Sequence, residues 1–310
     1  MKVALVQDKP IFLDRAACIE RAMGSISEAV KNGAQLIVFP ETFIPGYPAW
    51  LWNLRPGVDS RLIELLHVRM VAEAVNLESN DLTPIATAAR ENSVTIVIGV
   101  QEVLPHARHG TLYNTVITIG PDGKILNRHR KIMPTNPERM AWGFGDASGI
   151  RVVDTPVGRL GALICWENMH PLARAALYAQ GVELYVAPTY DHGPRWLASM
   201  CHIAREGGCW VLSCSSAFQA GDITGQIPEL AGIFPDEDEW INPGDSCIIS
   251  PGGREIARPL NKQIGIIYGD IDITRIAAAK RTLDISGHYS RPDLFKLDVR
   301  TENQSNKTAY

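Results

Sequence analysis

The 310-residue chain is short of several things at once, beginning with hydrophobic runs: no apolar stretch approaches the span of a bilayer. Its start, "MKVALVQDKP", meets a charge at Asp8 after a very short apolar run, without the long apolar region and small-residue cleavage site of a secretory signal. Charge of one sign is not in excess, and a formal net charge of −4 gives no global field to attract nucleic acid or an anionic membrane surface. Six cysteines (Cys18, Cys165, Cys201, Cys209, Cys214 and Cys247) are scattered without a CxxC or any zinc-type spacing, so neither a metal site nor a disulfide framework is expected. GxxxxGK[ST], HExxH and GxSxG are also missing, which removes the main support for a P-loop, a zincin or a serine-hydrolase elbow. The glycines of "GFGDASG" (143–149) do not fit a dinucleotide fingerprint, and the segment reads as a turn-rich loop. The expectation is a soluble globular protein with free thiols in a reducing cytoplasm.

What is present is ample apolar material, 45% of residues, enough for a large core. "KVALVQ" reads as a buried strand, 14–32 as a helix ending at Gly33, and "AQLIVFPE" as a second strand stopped by Pro40. A long helix is predicted over about 59–77 and another from Pro84, with Thr83 as its N-cap. "VTIVIGVQEV", "YNTVITIG" and "KILNRHRKI" form a strand meander of the kind that joins two layers, with "PDGK" as one turn. Further strands are expected in "RVVDTPVGRLGALIC", "VELYVAP", "CWVLSCSS", "SCIISPGG" and "GIIYGDIDI". Helices are expected at about 171–180, 194–206 and 274–281. Apolar strands interleaved with helices indicate an α/β protein whose buried sheets carry helices outside them. Residues 221–245, rich in Gly and Pro and containing "DEDE", read as a long surface loop, open to a lid or subunit-contact role.

Three reactive side chains stand where apolar strands stop: Glu41 after "LIVFP", Lys131 after "ILNRHR" and Cys165 after "LGALI". Strand ends aim side chains from distant sequence positions into one pocket, which makes an acid, an amine and a thiol candidate neighbours. Each also has a plain reading: Glu41 as a cap or an arginine partner, Lys131 as the end of a solvated basic run, Cys165 as a small buried hydrophobe. Asn168 followed by Pro171 resembles a helix start, and a helix N-terminus pointing at Cys165 would favour its thiolate.

"FPETFIPGYPAW", "HRKIMPTNPERMAWGFGD", "LICWENMHPLARAALY", "APTYDHGPRWLASMCHIAREGGCWVLS" and "SGHYSRPDLFKLDV" occur in this order, and together they resemble the nitrilase branch of the carbon–nitrogen hydrolase superfamily from about residue 2 to 299. The resemblance implies a four-layer α-β-β-α sandwich with neither metal nor organic cofactor, as one domain over 1–298 followed by a polar tail over 299–310. It implies Glu41 as general base, Lys131 as cationic stabiliser, Cys165 as nucleophile, and Glu138 as a second glutamate positioning the lysine. From the residues alone Glu138 reads as a surface loop residue.

A nitrile carbon is a poor electrophile, so a thiolate nucleophile and a base to generate it are the chemistry such a set would supply. The implied reaction is hydrolysis of a nitrile to the carboxylic acid and ammonia through thioimidate and thioester intermediates, with some amide by-product. The same triad in related families cleaves amides or N-carbamoyl groups, and cyanide itself is another possible substrate. Trp166 in "CWEN", where many amidase relatives carry Tyr, and "GHYSRPD" point to nitriles. The aromatic run after Glu41 makes Tyr47, Trp50 and Trp52 candidates for a pocket wall suited to aromatic or arylaliphatic nitriles, with a core or subunit-contact role equally open for each tryptophan. The partners expected are thus a small nitrile and further copies of the chain, with no nucleic acid and no membrane. The resemblance implies a homodimer through the helices after Cys165, or a larger homo-oligomer, while the short sequence after "FKLDV" argues against extended filaments.

Overall fold

The computed structural model describes residues 1–104, 110–257 and 259–301. The first half contains β1 (Lys2–Gln7), α1 (Arg15–Lys31), β2 (Leu36–Val38), α2 (Ser60–Glu73), α3 (Thr83–Asn92), β3 (Thr95–Val103), β4 (Leu112–Ile119) and β5 (Ile125–Arg130). After it come β6 (Val153–Thr155), β7 (Gly158–Ala162), α4 (Pro171–Ala179), β8 (Leu184–Thr189), α5 (Gly193–Gly207) and β9 (Trp210–Ser215). The last part holds β10 (Ala217–Gln219), α6 (Ala220–Thr224), β11 (Trp240–Pro243), β12 (Cys247–Ile249), β13 (Glu255–Ala257), β14 (Gly265–Asp270) and α7 (Thr274–Thr282).

Two six-stranded sheets result, in the orders β14-β1-β2-β3-β4-β5 and β13-β12-β9-β8-β7-β6. Each has a parallel centre, β1-β2-β3 in one and β7-β8-β9 in the other, flanked by antiparallel strands. Strand periodicity assigns the faces. Val3 and Leu5 of β1, with Leu36, Val38 and Val97, pack against Leu160, Leu184, Val186, Leu212 and Ile248 of the second sheet. The alternate residues Ala4, Val6, Ile37, Ile96 and Ile98 turn the other way, onto Ala22 and Ile26 of α1 and Ile85 and Ala89 of α3. In the second sheet Tyr185, Ala187, Val211 and Ile249 likewise meet Leu177 of α4 and Trp196, Met200 and Ile203 of α5. The four-layer α-β-β-α sandwich is therefore written in alternating apolar residues, each contributing about 1.5–3 kcal/mol when fully buried. A one-residue slip would exchange the two faces.

Several local expectations are corrected. Helix α2 ends at Glu73 rather than near 77, because the Val75 N–H donates to Gln101 O and Val75 O accepts from Val103 N, which draws the chain into an extended bridge with β3. Thr83 is the first residue of α3 and not its cap: its hydroxyl donates to Asn80 O at 2.6 Å. The meander β3-β4-β5 lies wholly within the first sheet. Residues 221–245 are not a surface loop, since Ile223, Ile227, Leu230 and Phe234 are buried with Phe12, Trp50 and Phe218 in a satellite core, and β11 pairs with β10. Residues 143–149 are turn-rich as expected, with one short 3-10 turn at Ala147–Gly149. The polar tail over 299–310 falls, from 302 onward, outside the described residues.

Candidate active site

Glu41 follows β2 by three residues, and Gly99 of the neighbouring β3 lets it lie close. A Cβ at Gly99 would stand 2.2 Å from Pro40 O and 2.5 Å from Thr42 N, so only hydrogen fits between these backbones. Glu41 Oε1 accepts hydrogen bonds from Lys131 Nζ at 2.8 Å and Asn114 Nδ2 at 2.7 Å. Lys131, the residue after β5, also donates to Glu138 Oε2 at 2.7 Å. Glu138 is buried rather than on the surface, fixed by the Thr135 N–H at 2.6 Å and the Tyr47 hydroxyl at 2.7 Å. The Trp52 Nε1–H donates to that hydroxyl at 3.0 Å, so a chain of hydrogen bonds runs from the cavity wall to the ammonium.

Cys165 lies three residues beyond the end of β7, at the start of a 3-10 turn over Cys165–Met169, with φ of +49°. A non-glycine residue in this region is strained, and surrounding bonds must hold it there. Asn168 Nδ2 supplies two of them, to Cys165 O at 2.7 Å and Leu163 O at 3.1 Å. The first two N–H groups of such a turn, those of Cys165 and Trp166, have no acceptor within it. The expected helix N-terminus aimed at the thiol is absent, because α4 begins only at Pro171 and the intervening turn has five residues.

The electrostatics follow from this packing. Burial pushes the Cys165 thiol well above its usual range and Glu41 raises it further, against the opposing pull of Lys131 and the Thr189 hydroxyl. Burial also raises the Glu41 carboxyl, with Lys131 opposing and Glu138 adding to the rise. For Lys131 burial works against the charge, but Glu41, the Cys165 sulfur and Glu138 outweigh it and hold the ammonium charged. The resting thiol is protonated, and the Lys131 ammonium is a fixed cation acting on it. Burial alone does not single out Cys165, since it pushes Cys18 and Cys209 up to about 12.

A cavity of about 250 Å³ opens onto this cluster, lined by Tyr47, Trp52, Glu138, Cys165, Trp166 and Tyr190 among others. Tyr190 stacks on Tyr47 with ring centroids 3.8 Å apart, and the half-exposed Trp166 is braced by its Nε1–H donating to Asp191 Oδ2 at 2.7 Å. The structure thus brings together Glu41, Lys131, Glu138, Cys165, Tyr47 and Trp166 from the sequence reading. Trp50 is corrected: it is fully buried in the satellite core, edge-on to Phe12, and does not line the cavity, whereas Trp52 does. Sequence reasoning missed Asn114, Tyr190 and Asp191. A polar residue inside the apolar run "YNTVITIG" was the available signal for Asn114.

A thiol on a left-handed backbone position, a buried ammonium between two carboxylates and two sheets flanked by helices mark a hydrolase-type site on an α-β-β-α scaffold. The chain belongs to the carbon–nitrogen hydrolase family, whose profile matches residues 2–281. It is 41% identical to Nitrilase 1 of Arabidopsis thaliana over 99% of this chain and 89% of that one. Its identity to Nitrilase 3 of the same plant is 40%, over 96% and 86% of the two chains. A bifunctional nitrilase/nitrile hydratase of Lupinus angustifolius is also 40% identical, over 97% and 86%. Among solved structures, a carbon–nitrogen hydrolase from Helicobacter pylori shares the fold with a TM-score of 0.71 at 18% identity, covering 95% of this chain and 96% of that one. Among the described residues no helix is long and apolar enough to cross a membrane.

Proposed function

We propose that this protein is a nitrilase, converting an organic nitrile and two waters to the carboxylic acid and ammonia, with residues 1–298 as its catalytic domain. The observation that carries the proposal is Cys165 lining the same cavity as Glu138, whose carboxylate shares the Lys131 ammonium with Glu41. The names of the relatives, Nitrilase 1 and Nitrilase 3, support reading the substrate as a nitrile rather than an amide.

Glu41 takes the thiol proton as sulfur attacks the nitrile carbon, and its raised affinity for protons suits it to that task. Charge developing on nitrogen is met by Lys131 and by the backbone N–H of Trp166, giving a thioimidate once Glu41 returns the proton to that nitrogen. Glu41 next removes a proton from water as it attacks that carbon, and the tetrahedral adduct expels ammonia to leave a thioester. A second water, activated in the same way, releases the acid and restores the thiol. If the adduct expels sulfur instead, the product is an amide, and a minor amide fraction is expected. Tyr47, Tyr190, Trp52 and Trp166 form an aromatic wall that suits aryl or arylaliphatic nitriles.

The deciding experiment is ammonia release from a panel of nitriles and their matching amides, with Cys165→Ala as the blank. Release from nitriles well above amides is the expected outcome. Release from amides alone would move the protein to the amidase side of the family, and activity surviving in Cys165→Ala would refute the mechanism. We further infer a homodimer or larger assembly through α4 and its neighbours, where Met169 and Leu172 are exposed, and a monomer by light scattering would overturn this. A cytoplasmic location fits six free thiols.

A further inference from the structure

A second buried pair lies behind the cluster. Glu167 and His129 are both fully buried, and His129 sits two residues before Lys131 while Glu167 sits two after Cys165. Glu167 Oε1 accepts from the Ile132 N–H at 2.5 Å and Oε2 from the Ile164 N–H at 2.6 Å. His129 Nε2 faces both oxygens, at 3.2 and 2.9 Å. The two peptide groups gripped by this carboxylate are the one that follows Lys131 and the one that precedes Cys165 by a single residue. They belong to different sheets, β5 leading to the first and β7 to the second. Nothing in the proposed chemistry uses Glu167 or His129, and Glu167 touches the reacting groups only through the backbone it holds. His129 Nδ1 has no hydrogen-bond partner among the described residues, so the ring's polar work is directed at Glu167.

We propose that Glu167, backed by His129, is a positioning residue that sets the separation of the Lys131 ammonium and the Cys165 thiol by tying the two sheets together at their reactive ends. A carboxylate suits this task and an amide does not. Each oxygen takes one backbone N–H, so a glutamine, whichever way it is turned, presents its NH₂ to a peptide N–H. A buried donor facing a donor costs the full desolvation of both groups and pushes the two loops apart. Displacement of catalytic groups by an ångström costs on the order of 10²-fold in rate.

The inference rests on the roles proposed above for Lys131 and Cys165, and its test separates the two. kcat, KM and thermal midpoint are measured for wild type, Glu167→Gln, His129→Leu and His129→Gln, together with the rate at which iodoacetamide alkylates Cys165, read by peptide mass mapping. Glu167→Gln is expected to lower kcat on the order of 10²-fold with KM nearly unchanged, and to slow alkylation of Cys165 roughly tenfold. His129→Gln, whose amide nitrogen can reach the place of Nε2, should keep most of the activity that His129→Leu loses. A folded Glu167→Gln with kcat near wild type, or a His129→Gln as damaged as His129→Leu, would overturn the proposal. Should Glu167→Gln fail to fold, the two His129 variants decide. A wild type inactive on nitriles refutes the nitrilase reading instead, and the alkylation rates then still decide whether Glu167 positions the thiol.

Discussion

In the proposed mechanism Glu41 carries the proton traffic, and its environment makes that measurable. Because burial raises its carboxyl above 4.5, the acid limb of kcat/KM is expected above the ordinary glutamate value. Asn114 opposes the rise by donating to Oε1, a bond that favours the charged form. Asn114→Ala should therefore move the acid limb to higher pH, and a limb that stays or falls would show that Glu41 is not the titrating group. Glu41→Gln removes the base altogether and should cost on the order of 10²-fold or more in kcat, checked by ammonia release. Glu41 and Cys165 were legible in the sequence as polar side chains directly after apolar strand runs, whereas Lys131 ends the basic run of β5 and took its role from the resemblance. Glu138 was legible only through resemblance, since its burial depends on the ammonium seven residues earlier and on a tyrosine brought from the loop after Glu41. Trp50 and Trp52 look alike in sequence, and only the short 3-10 turn that holds them decides which one faces the cavity.

At the level of elements, β3 and the segment after β2 act as one support. Gly99→Ala would drive a methyl group into Pro40 O and Thr42 N, the groups on either side of Glu41. The expected result is a loss of kcat together with a lower thermal midpoint, whereas normal kinetics in this variant would mean that the Glu41 loop is freer than its packing indicates. Leu230 sits in the satellite core that backs Trp50, and Leu230→Ala should destabilise by about 2–5 kcal/mol in a denaturant titration. The strands and most helices could be read from period alone. Residues 221–245 could not, because glycine, proline and acidic residues mask four well-spaced apolar side chains, two of whose partners, Phe12 and Trp50, are far away in sequence. The end of α2 was hidden for a related reason, as a bridge to β3 overrode a helical pattern that continued past it.

At the scale of the whole molecule, one response to pH is expected from the pair proposed to tie the two sheets together. Burial raises Glu167, but His129 and the N–H groups of Ile132 and Ile164 outweigh it and hold the carboxyl below 4.5. A carboxyl whose value is depressed on folding gives stability that is present above about pH 4.5 and is lost as pH falls through the folded value. The gap in thermal midpoint between wild type and Glu167→Gln should therefore narrow on acidification below pH 4.5, and a gap independent of pH would contradict the assignment. The sheet order carries a further consequence, for synthesis. Strand β1 pairs with β14, Lys2 opposite Asp270, and its inner face packs on strands of the second sheet. During synthesis β1 emerges well before β14 and the second sheet, so in that interval one of its edges is unpaired and its apolar face is open to other chains.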